Sequence, residues 1–205
     1  MAITYAIIGI TTLVSIYCFN EPRFFDKLKF NAFDVKHSNQ WHRFFTYGFV
    51  HAGWIHLLIN MFVLYSFGAG LEDYFAQVKP DQSFLMYFTL YLGSLIVSTV
   101  PSYYKHKNDV FYNSVGASGA VSAVLFAYIL AMPWQKLMIF PIPFPLPAPL
   151  FAVLFLVYES YMSKRGKDNV GHDAHISGAV FGLVFMLIIQ PELAKQFLDF
   201  LKGAL

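Results

Sequence analysis

Charged residues are scarce in this chain of 205 residues: Asp, Glu, Lys and Arg make up 13% of it, whereas hydrophobic residues make up 57%. Soluble domains carry about 25% charged residues. About half that share leaves too few charges to cover a water-facing surface, so the composition predicts an integral membrane protein in contact with a lipid bilayer. The Lys and Arg residues form no dense basic run, and nucleic acid is therefore not an expected partner.

Cysteine is also nearly absent, and the single Cys18 excludes an internal disulfide framework. Cys18 lies in the apolar run 3–19, where we expect it to pack as a small apolar residue. That run has no basic segment before it and no small-residue cleavage site after it. It therefore predicts a retained first membrane span and not a cleaved signal peptide.

Long apolar runs are abundant, and all but the short fifth one are close to the ~20 residues that a helix needs to cross a bilayer. They predict an all-α membrane protein with a single domain and six spans, at about 3–19, 51–70, 84–100, 115–132, 149–162 and 171–190. The acidic residues after Leu71 are expected to end the second span, and Pro101 the third.

Three segments outside the spans also have a predicted structure. Residues 23–47 mix charges with aromatics, which favours a folded element at the membrane interface. The alternating prolines of 141–149 cannot form a helix and predict an extended, polyproline-like connector. Residues 191–205 predict a short amphipathic tail.

Polar side chains at membrane depth are costly and tend to be functional, and a first group lies in the second span. His56 and Asn60 are four residues apart, so both side chains lie on one face of a helix, with His51 towards its N-terminus. Two donors aimed at one point are able to stabilise an oxyanion. Hydrogen bonds between neighbouring helices are the competing interpretation.

A second group, at the start of the fourth span, surrounds one hydroxyl with small residues. Gly116 and Gly119 flank Ser118 and let another helix or a substrate backbone approach closely. The backbone N–H of Ser118, near a helix N-terminus, is a further donor for an anion. A helix crossing without any chemistry would produce the same pattern, so this motif is weak by itself.

A third group, at the start of the sixth span, combines His175 with Gly178 and Gly182 one and two turns further on. A helix packed on this glycine stripe would bring His175 beside whatever the partner presents. If the partner is the Gly116–Gly119 segment, the imidazole meets Ser118, the arrangement that a serine nucleophile requires. Metal binding is disfavoured, because the spacing of the histidines matches no HExxH site.

Taken together and in this order, the three groups resemble the rhomboid family of intramembrane serine proteases, over essentially the whole chain. The resemblance implies a six-transmembrane-helix rhomboid-like bundle and a Ser118–His175 dyad with no third carboxylate. It also implies an oxyanion hole formed by His56, Asn60 and the Ser118 amide, with His51 as possible support. Gly116, Gly119, Gly178 and Gly182 would allow the close packing of the fourth and sixth spans. No cofactor is expected, and the substrates would be transmembrane proteins.

Two residues next to His175 are excluded from the expected site. Asp173 is two positions away and thus on the wrong face of a helix to orient the imidazole. We therefore interpret Asp173 as a charge in a loop or at a helix start, and His172 in the same way.

Two features depart from the family pattern. Many rhomboids carry a tyrosine one turn after the serine, stacked on the imidazole, whereas this chain has Ser122 there. The resemblance also implies a bacterial inner (plasma) membrane, cytoplasmic termini and Ser118 nearer the outer face. Only four of the 14 Lys and Arg residues would then face the cytoplasm, which conflicts with the positive-inside rule.

Two other functions compete with proteolysis. The first is a catalytically inactive relative that binds membrane helices, although such relatives usually lose the serine or the histidine. The second is a small transporter, which the absence of an inverted repeat disfavours. The sequence leaves the natural substrate and the oligomeric state open.

Overall fold

The structure, a computed structural model, describes residues 2–138, 144–166 and 170–204. Within these ranges the chain is almost entirely helical. The α-helices are α1 Ala2–Asn20, α2 Pro22–Leu28, α3 Ala32–Ser38, α4 Arg43–Thr46, α5 Trp54–Val63, α6 Ala69–Val78, α7 Ser83–His106, α8 Ser118–Ala131, α9 Ala148–Arg165, α10 His172–Ile189 and α11 Glu192–Ala204. A π-helical segment, Leu64–Gly68, joins α5 to α6, and the 3-10 turns Tyr47–Phe49 and Pro80–Gln82 precede α5 and α7.

Among the described residues, four helices are long and apolar enough to cross a membrane: Ala2–Asn20, Trp54–Val78, Pro80–His106 and His172–Ile189. Helix α8 is also apolar but shorter. The outward surface of the four long helices is apolar, as Leu13 and Ile55 show with 71% and 75% of their surface exposed. The side that α1 buries carries Thr4, Thr11 and Ser15 instead. This distribution suits lipid as the solvent, and the predicted all-α membrane bundle is confirmed. The count of six spans stays a prediction, because α8 and α9 are not among those four helices.

The second predicted span is longer than the sequence suggested, because Glu72 does not end it. The helix continues to Val78, and Glu72 is buried. Its carboxylate accepts hydrogen bonds from the backbone N–H groups of Ile3 and Thr4 at 3.1 and 3.0 Å, and from the Thr4 hydroxyl at 2.8 Å. Glu72 thus satisfies the open N-terminus of α1, and the expectation that it terminates a span was wrong.

The third predicted span is also longer, since α7 contains Pro101 and ends only at His106. Proline removes one helical hydrogen bond, and packing against neighbouring helices compensates for this loss in membrane proteins. The fifth predicted span, 149–162, corresponds to α9, which begins at Ala148 with Pro149 in its first turn and ends three residues later than predicted, at Arg165. Proline fits in a first turn, where no helical hydrogen bond is lost.

The proline-rich connector differs from the expectation in its second half. Leu146–Pro147 pairs antiparallel with Lys136–Leu137, with Lys136 opposite Pro147. These two short strands, β1 Lys136–Leu137 and β2 Leu146–Pro147, form a small ladder and not a free polyproline helix. The rest of the predicted connector, 141–143, lies outside the described residues. The predicted helical tail is present as α11.

Residues 23–47 fold as predicted, into α2, α3 and α4, and the buried side chain of Arg43 joins these helices. Its guanidinium donates to the backbone oxygens of Asp26 and Lys29 at 2.8 and 2.5 Å, and its Nη2 lies 3.2 Å from the Asp34 carboxylate. Burial lowers the pKa of Arg43, and the charges of Asp34 and Asp26 oppose that shift. Guanidinium stays protonated in proteins, so this charge links the turns of the segment.

This same segment supports the chain just before the Ser118 motif. Phe30 and Ser114 form an antiparallel bridge in which each backbone N–H donates to the other carbonyl at 2.9 Å. The side chain of Asn31 donates to the carbonyls of Val110 and Tyr112. The early loop therefore positions residues 110–116, which lead into α8.

Candidate active site

Ser118 is the first residue of α8, and the turn before it requires glycine. Gly116 has a φ of +107°, a left-handed conformation that L side chains rarely adopt. A Cβ at Gly116 would also lie 2.5 Å from Cε1 of His56. The turn therefore fits closely against the His56 ring, and α8 begins directly after it, where the first N–H groups of a helix have no partner within the helix.

His51 fixes this turn through both ring nitrogens. Its Nδ1 lies 2.9 Å from Oγ of Ser15, and its Nε2 accepts the backbone N–H of Ala117 at 3.3 Å. The Ser15 hydroxyl donates its proton to the carbonyl of Phe49 at 2.9 Å. Ser15 must then accept from Nδ1–H, which leaves Nε2 as the acceptor, and the two assignments agree. The predicted supporting position of His51 thus corresponds to a fully buried bridge between α1 and the residue before Ser118.

His56 and Asn60 lie on one face of α5, as their spacing predicts. The Asn60 side chain donates to the carbonyl of His56 at 2.8 Å, which orients the amide along the helix. An amide nitrogen carries two hydrogens, so Asn60 keeps a second donor. The rings of His51 and His56 are 4.9 Å apart in an edge-to-face arrangement.

Helices α8 and α10 touch through their backbones at the predicted glycines. A Cβ on Gly178 would lie 2.8 Å from the carbonyl carbon of Gly119, and one on Gly182 would lie 2.9 Å from that of Ala123. Contacts this short are closer than real Cβ atoms come. Gly119 is itself confined, because a Cβ there would lie 2.5 Å from the Ser98 side chain on α7. Residues next to these glycines in sequence are therefore held side by side.

Ser118, His175, His56 and Asn60 all line one cavity of about 1370 Å³. Ser118 and His175 are partly exposed in it, whereas Asn60 is buried. The cavity extends from the start of α5 to residues 111–116 and to the start of α10. Four side chains from the three groups that the sequence singled out thus line a single cavity, and their catalytic roles stay predictions.

Glu159 on α9 is the main feature that sequence reasoning missed. Its Oε2 lies 3.0 Å from Nδ1 of His175 and 2.5 Å from Nδ1 of His172, and its side chain is only 6% exposed. The expectation that no carboxylate lies beside His175 was therefore wrong, because Glu159 is within hydrogen-bond distance of its Nδ1. The available signal was the ionisable residue itself, inside a predicted span where charges are costly.

The two residues beside His175 behave differently from each other. Asp173 contacts Ser163 and lies 3.5 Å from Nζ of Lys105, so it is a charge at a helix start, as predicted. His172 also stands at the helix start, but it is 5% exposed and bonded to Glu159. The interpretation of His172 as a residue without a role in the site needs correction for that reason.

Glu159, His172 and His175 also form a set of potential metal ligands, whose ligand atoms all lie within 4.8 Å of one another. Two imidazoles and a carboxylate suit zinc chemically. The carboxylate oxygen, however, lies at hydrogen-bond distance from each Nδ1. This geometry corresponds to two N–H donors on one acceptor, which is the interpretation that we adopt.

Comparison with known proteins places the chain in a family. A model of the Rhomboid domain matches residues 38–192. Presenilin-associated rhomboid-like protein A, mitochondrial, of Danio rerio is 30% identical over 67% of this chain and 35% of its own length. Rhomboid-like protein 11, chloroplastic, of Arabidopsis thaliana is 29% identical over 73% of this chain and 52% of its own. Rhomboid protein 1, mitochondrial, of Saccharomyces cerevisiae is 26% identical over 72% and 42%. The chain thus spans between about a third and a half of these relatives.

Proposed function

Because this chain belongs to the rhomboid family, we propose that it is an intramembrane serine endopeptidase that cleaves transmembrane segments of other membrane proteins. The observation that carries this proposal is the shared cavity. Ser118 and His175 line it from two helices whose backbones are in contact, and His56 and Asn60 line it from a third.

In the proposed reaction, Ser118 Oγ attacks the carbonyl carbon of the scissile peptide while Nε2 of His175 takes the hydroxyl proton. The negative charge that develops on the carbonyl oxygen is stabilised by N–H donors of Asn60, His56 and the Ser118 backbone. Collapse of this intermediate breaks the C–N bond, and His175 returns the proton to the leaving amine. Water then attacks the acyl-enzyme carbonyl while Nε2 of His175 takes a proton from it. Collapse of this second intermediate breaks the ester bond, and His175 returns the proton to Ser118 Oγ.

Such a reaction has two further requirements, and the polar lining of the cavity supports the first of them. Hydrolysis at membrane depth needs water, and besides the four proposed catalytic residues the cavity is lined by polar groups such as Lys105 and Asn113. The substrate must present an extended backbone, since a helical peptide bond is shielded by its own turns. We therefore expect substrates whose transmembrane helix unwinds easily near one end.

The proposal includes an integral membrane location but no particular membrane. The relatives named above are mitochondrial or chloroplastic proteins by name. They give no support to the bacterial plasma membrane that the sequence suggested, and we do not propose it. The orientation with Ser118 nearer the outer face stays a prediction, to be tested by labelling engineered cysteines from each side.

The decisive experiment compares Ser118→Ala and His175→Ala with wild type in cleavage of a transmembrane reporter reconstituted in liposomes. Each substitution is expected to abolish cleavage, and a fluorophosphonate probe is expected to label wild type but not Ser118→Ala. Ser122→Ala is a matched control, because Ser122 lies one turn further along α8 and is buried. Cleavage by either variant within a few-fold of wild type would exclude the proposed dyad.

Asn60→Ala provides a graded test of the oxyanion hole. Loss of one preorganised donor costs about 10²-fold or more in rate. A variant that keeps its fold and loses less than about threefold would assign Asn60 to the structure of α5 and not to the reaction.

A further inference from the structure

The helix that carries Glu159 is otherwise exposed on most of its surface. Its neighbours Val157 and Tyr158 have 63% and 56% of their surface exposed, whereas Glu159 has 5%. A buried carboxylate costs several kcal/mol unless it is paired. The partners of Glu159 should therefore explain why it is there.

Its partners are two imidazoles on one neighbouring helix. His172 and His175 are three residues apart on α10, and both direct Nδ1 at the same carboxylate oxygen. An ionised carboxylate only accepts hydrogen bonds, so both rings carry their proton on Nδ1. His175 is then in the tautomer whose Nε2 has a free lone pair, which is the state that a general base needs.

We propose that Glu159 is a positioning residue that holds His175 in the Nδ1–H tautomer and offsets the positive charge of its imidazolium when it takes the Ser118 proton. This inference rests on the proposed protease function and deepens it. His172 is part of the same arrangement, because its shorter hydrogen bond anchors the carboxylate. Glu159 takes up no proton itself. In acylation the proton goes from Ser118 Oγ to Nε2 of His175 and then to the leaving amine, and in deacylation a proton of the attacking water goes through Nε2 of His175 to Ser118 Oγ.

The arrangement also explains how the His175 ring is held when residue 122 is serine. The support comes from α9 and not from α8: Glu159 binds Nδ1, and the ring of Phe155 lies 6.4 Å from the imidazole, measured between centroids. Asp173, the carboxylate nearest in sequence, is engaged with Ser163 and Lys105 instead. The residue that orients His175 is thus 16 positions away along the chain.

The test replaces the carboxylate without changing its size. Glu159→Gln keeps the volume and an acceptor oxygen but removes the charge, so a residue that only fills space would tolerate it. We expect kcat for the transmembrane reporter to fall at least about 100-fold, with KM within about twofold of wild type. Fluorophosphonate labelling of Ser118 should slow to a similar extent, because the probe reacts with the same activated hydroxyl.

Glu159→Asp restores the charge on a shorter side chain. Its kcat is expected to be at least about tenfold higher than that of Glu159→Gln. Glu72→Gln is the matched control, because Glu72 is also a buried carboxylate in a helix. Its carboxylate binds the N-terminus of α1 and not a histidine of the cavity. The Glu72→Gln variant is expected to keep kcat within about twofold. Thermal unfolding of each variant in detergent shows which of them are folded at the assay temperature.

The outcomes separate this inference from the function on which it rests. If wild type neither cleaves the reporter nor reacts with the probe, the protease proposal fails. If wild type is active, Ser118→Ala is inactive and folded Glu159→Gln keeps kcat within about threefold, only the role of Glu159 is overturned. Activity that is lost on chelation and restored by Zn²⁺ would also overturn it, because the three residues would then hold a metal.

Discussion

Substituting alanine for Gly178 tests whether the spacing of α8 and α10 sets the geometry of the reaction. The added methyl would lie 2.8 Å from the carbonyl carbon of Gly119, where ordinary contacts begin at 3.4 Å, and closer still to the carbonyl oxygen. Both obstacles are backbone atoms, which cannot rotate away as a side chain does. The two helices must therefore separate by about 1 Å at this level, one turn from His175.

A displacement of about 1 Å costs about 10²-fold in rate when it separates reacting groups. We therefore expect Gly178→Ala to lower kcat by about 10²-fold. Overpacking should also lower the free energy of unfolding by about 1–3 kcal/mol. The assay is reporter cleavage in liposomes over a range of substrate concentrations, with thermal unfolding in detergent measured in parallel.

Gly9→Ala is the matched control, since Gly9 lies in α1 and a Cβ there would have nothing within 4 Å. Alanine has the higher helix propensity by about 1 kcal/mol, so this variant should be as stable as wild type or more stable, with unchanged kcat. The reasoning is refuted if Gly178→Ala cleaves the reporter within about threefold of the Gly9→Ala rate, because the helix contact would then have no influence on the dyad.

Three further substitutions test other parts of the structure. Asp173→Asn should keep kcat within about threefold of wild type, because the Asp173 carboxylate faces Lys105. A 100-fold loss of kcat in the reporter assay would show that Asp173 orients the His175 imidazole. Arg43→Ala should lower the free energy of unfolding by about 1–3 kcal/mol, since two partly buried carbonyl acceptors lose their donor. An unchanged melting temperature would contradict the role of this side chain in joining the three helices. His51→Phe leaves the Ala117 amide unpaired, which costs about 1–3 kcal/mol. We therefore expect kcat to fall by about tenfold or more. Unchanged cleavage would show that the turn before Ser118 keeps its conformation without His51.

Two predicted span limits were wrong because each was inferred from a local signal alone. Glu72 and Pro101 are strong local signals for the end of a helix, yet both lie inside helices. Glu72 is tolerated because α1 supplies three donors from residues far away in the sequence. A signal that depends on the local sequence cannot include a partner about 70 positions away.

Hydropathy and spacing alone determined much of this protein. The apolar runs predicted the membrane bundle, because hydropathy is a local signal. The ordered motifs at His56, Ser118 and His175 carried the resemblance to the family that the family model confirms. The glycine pattern also predicted that the fourth and sixth spans each have a surface for close helix packing, and the resemblance implied that they pack against each other.

Only the tertiary structure decided which groups touch His175. Glu159 belongs to a different helix from His175, and the distance between them depends on how α9 packs against α10, which no local pattern encodes. The same holds for His51, whose two partners, Ser15 and Ala117, come from opposite halves of the chain. A hydrogen bond needs donor and acceptor within about 3 Å, and only the packed helices decide which atoms come that close.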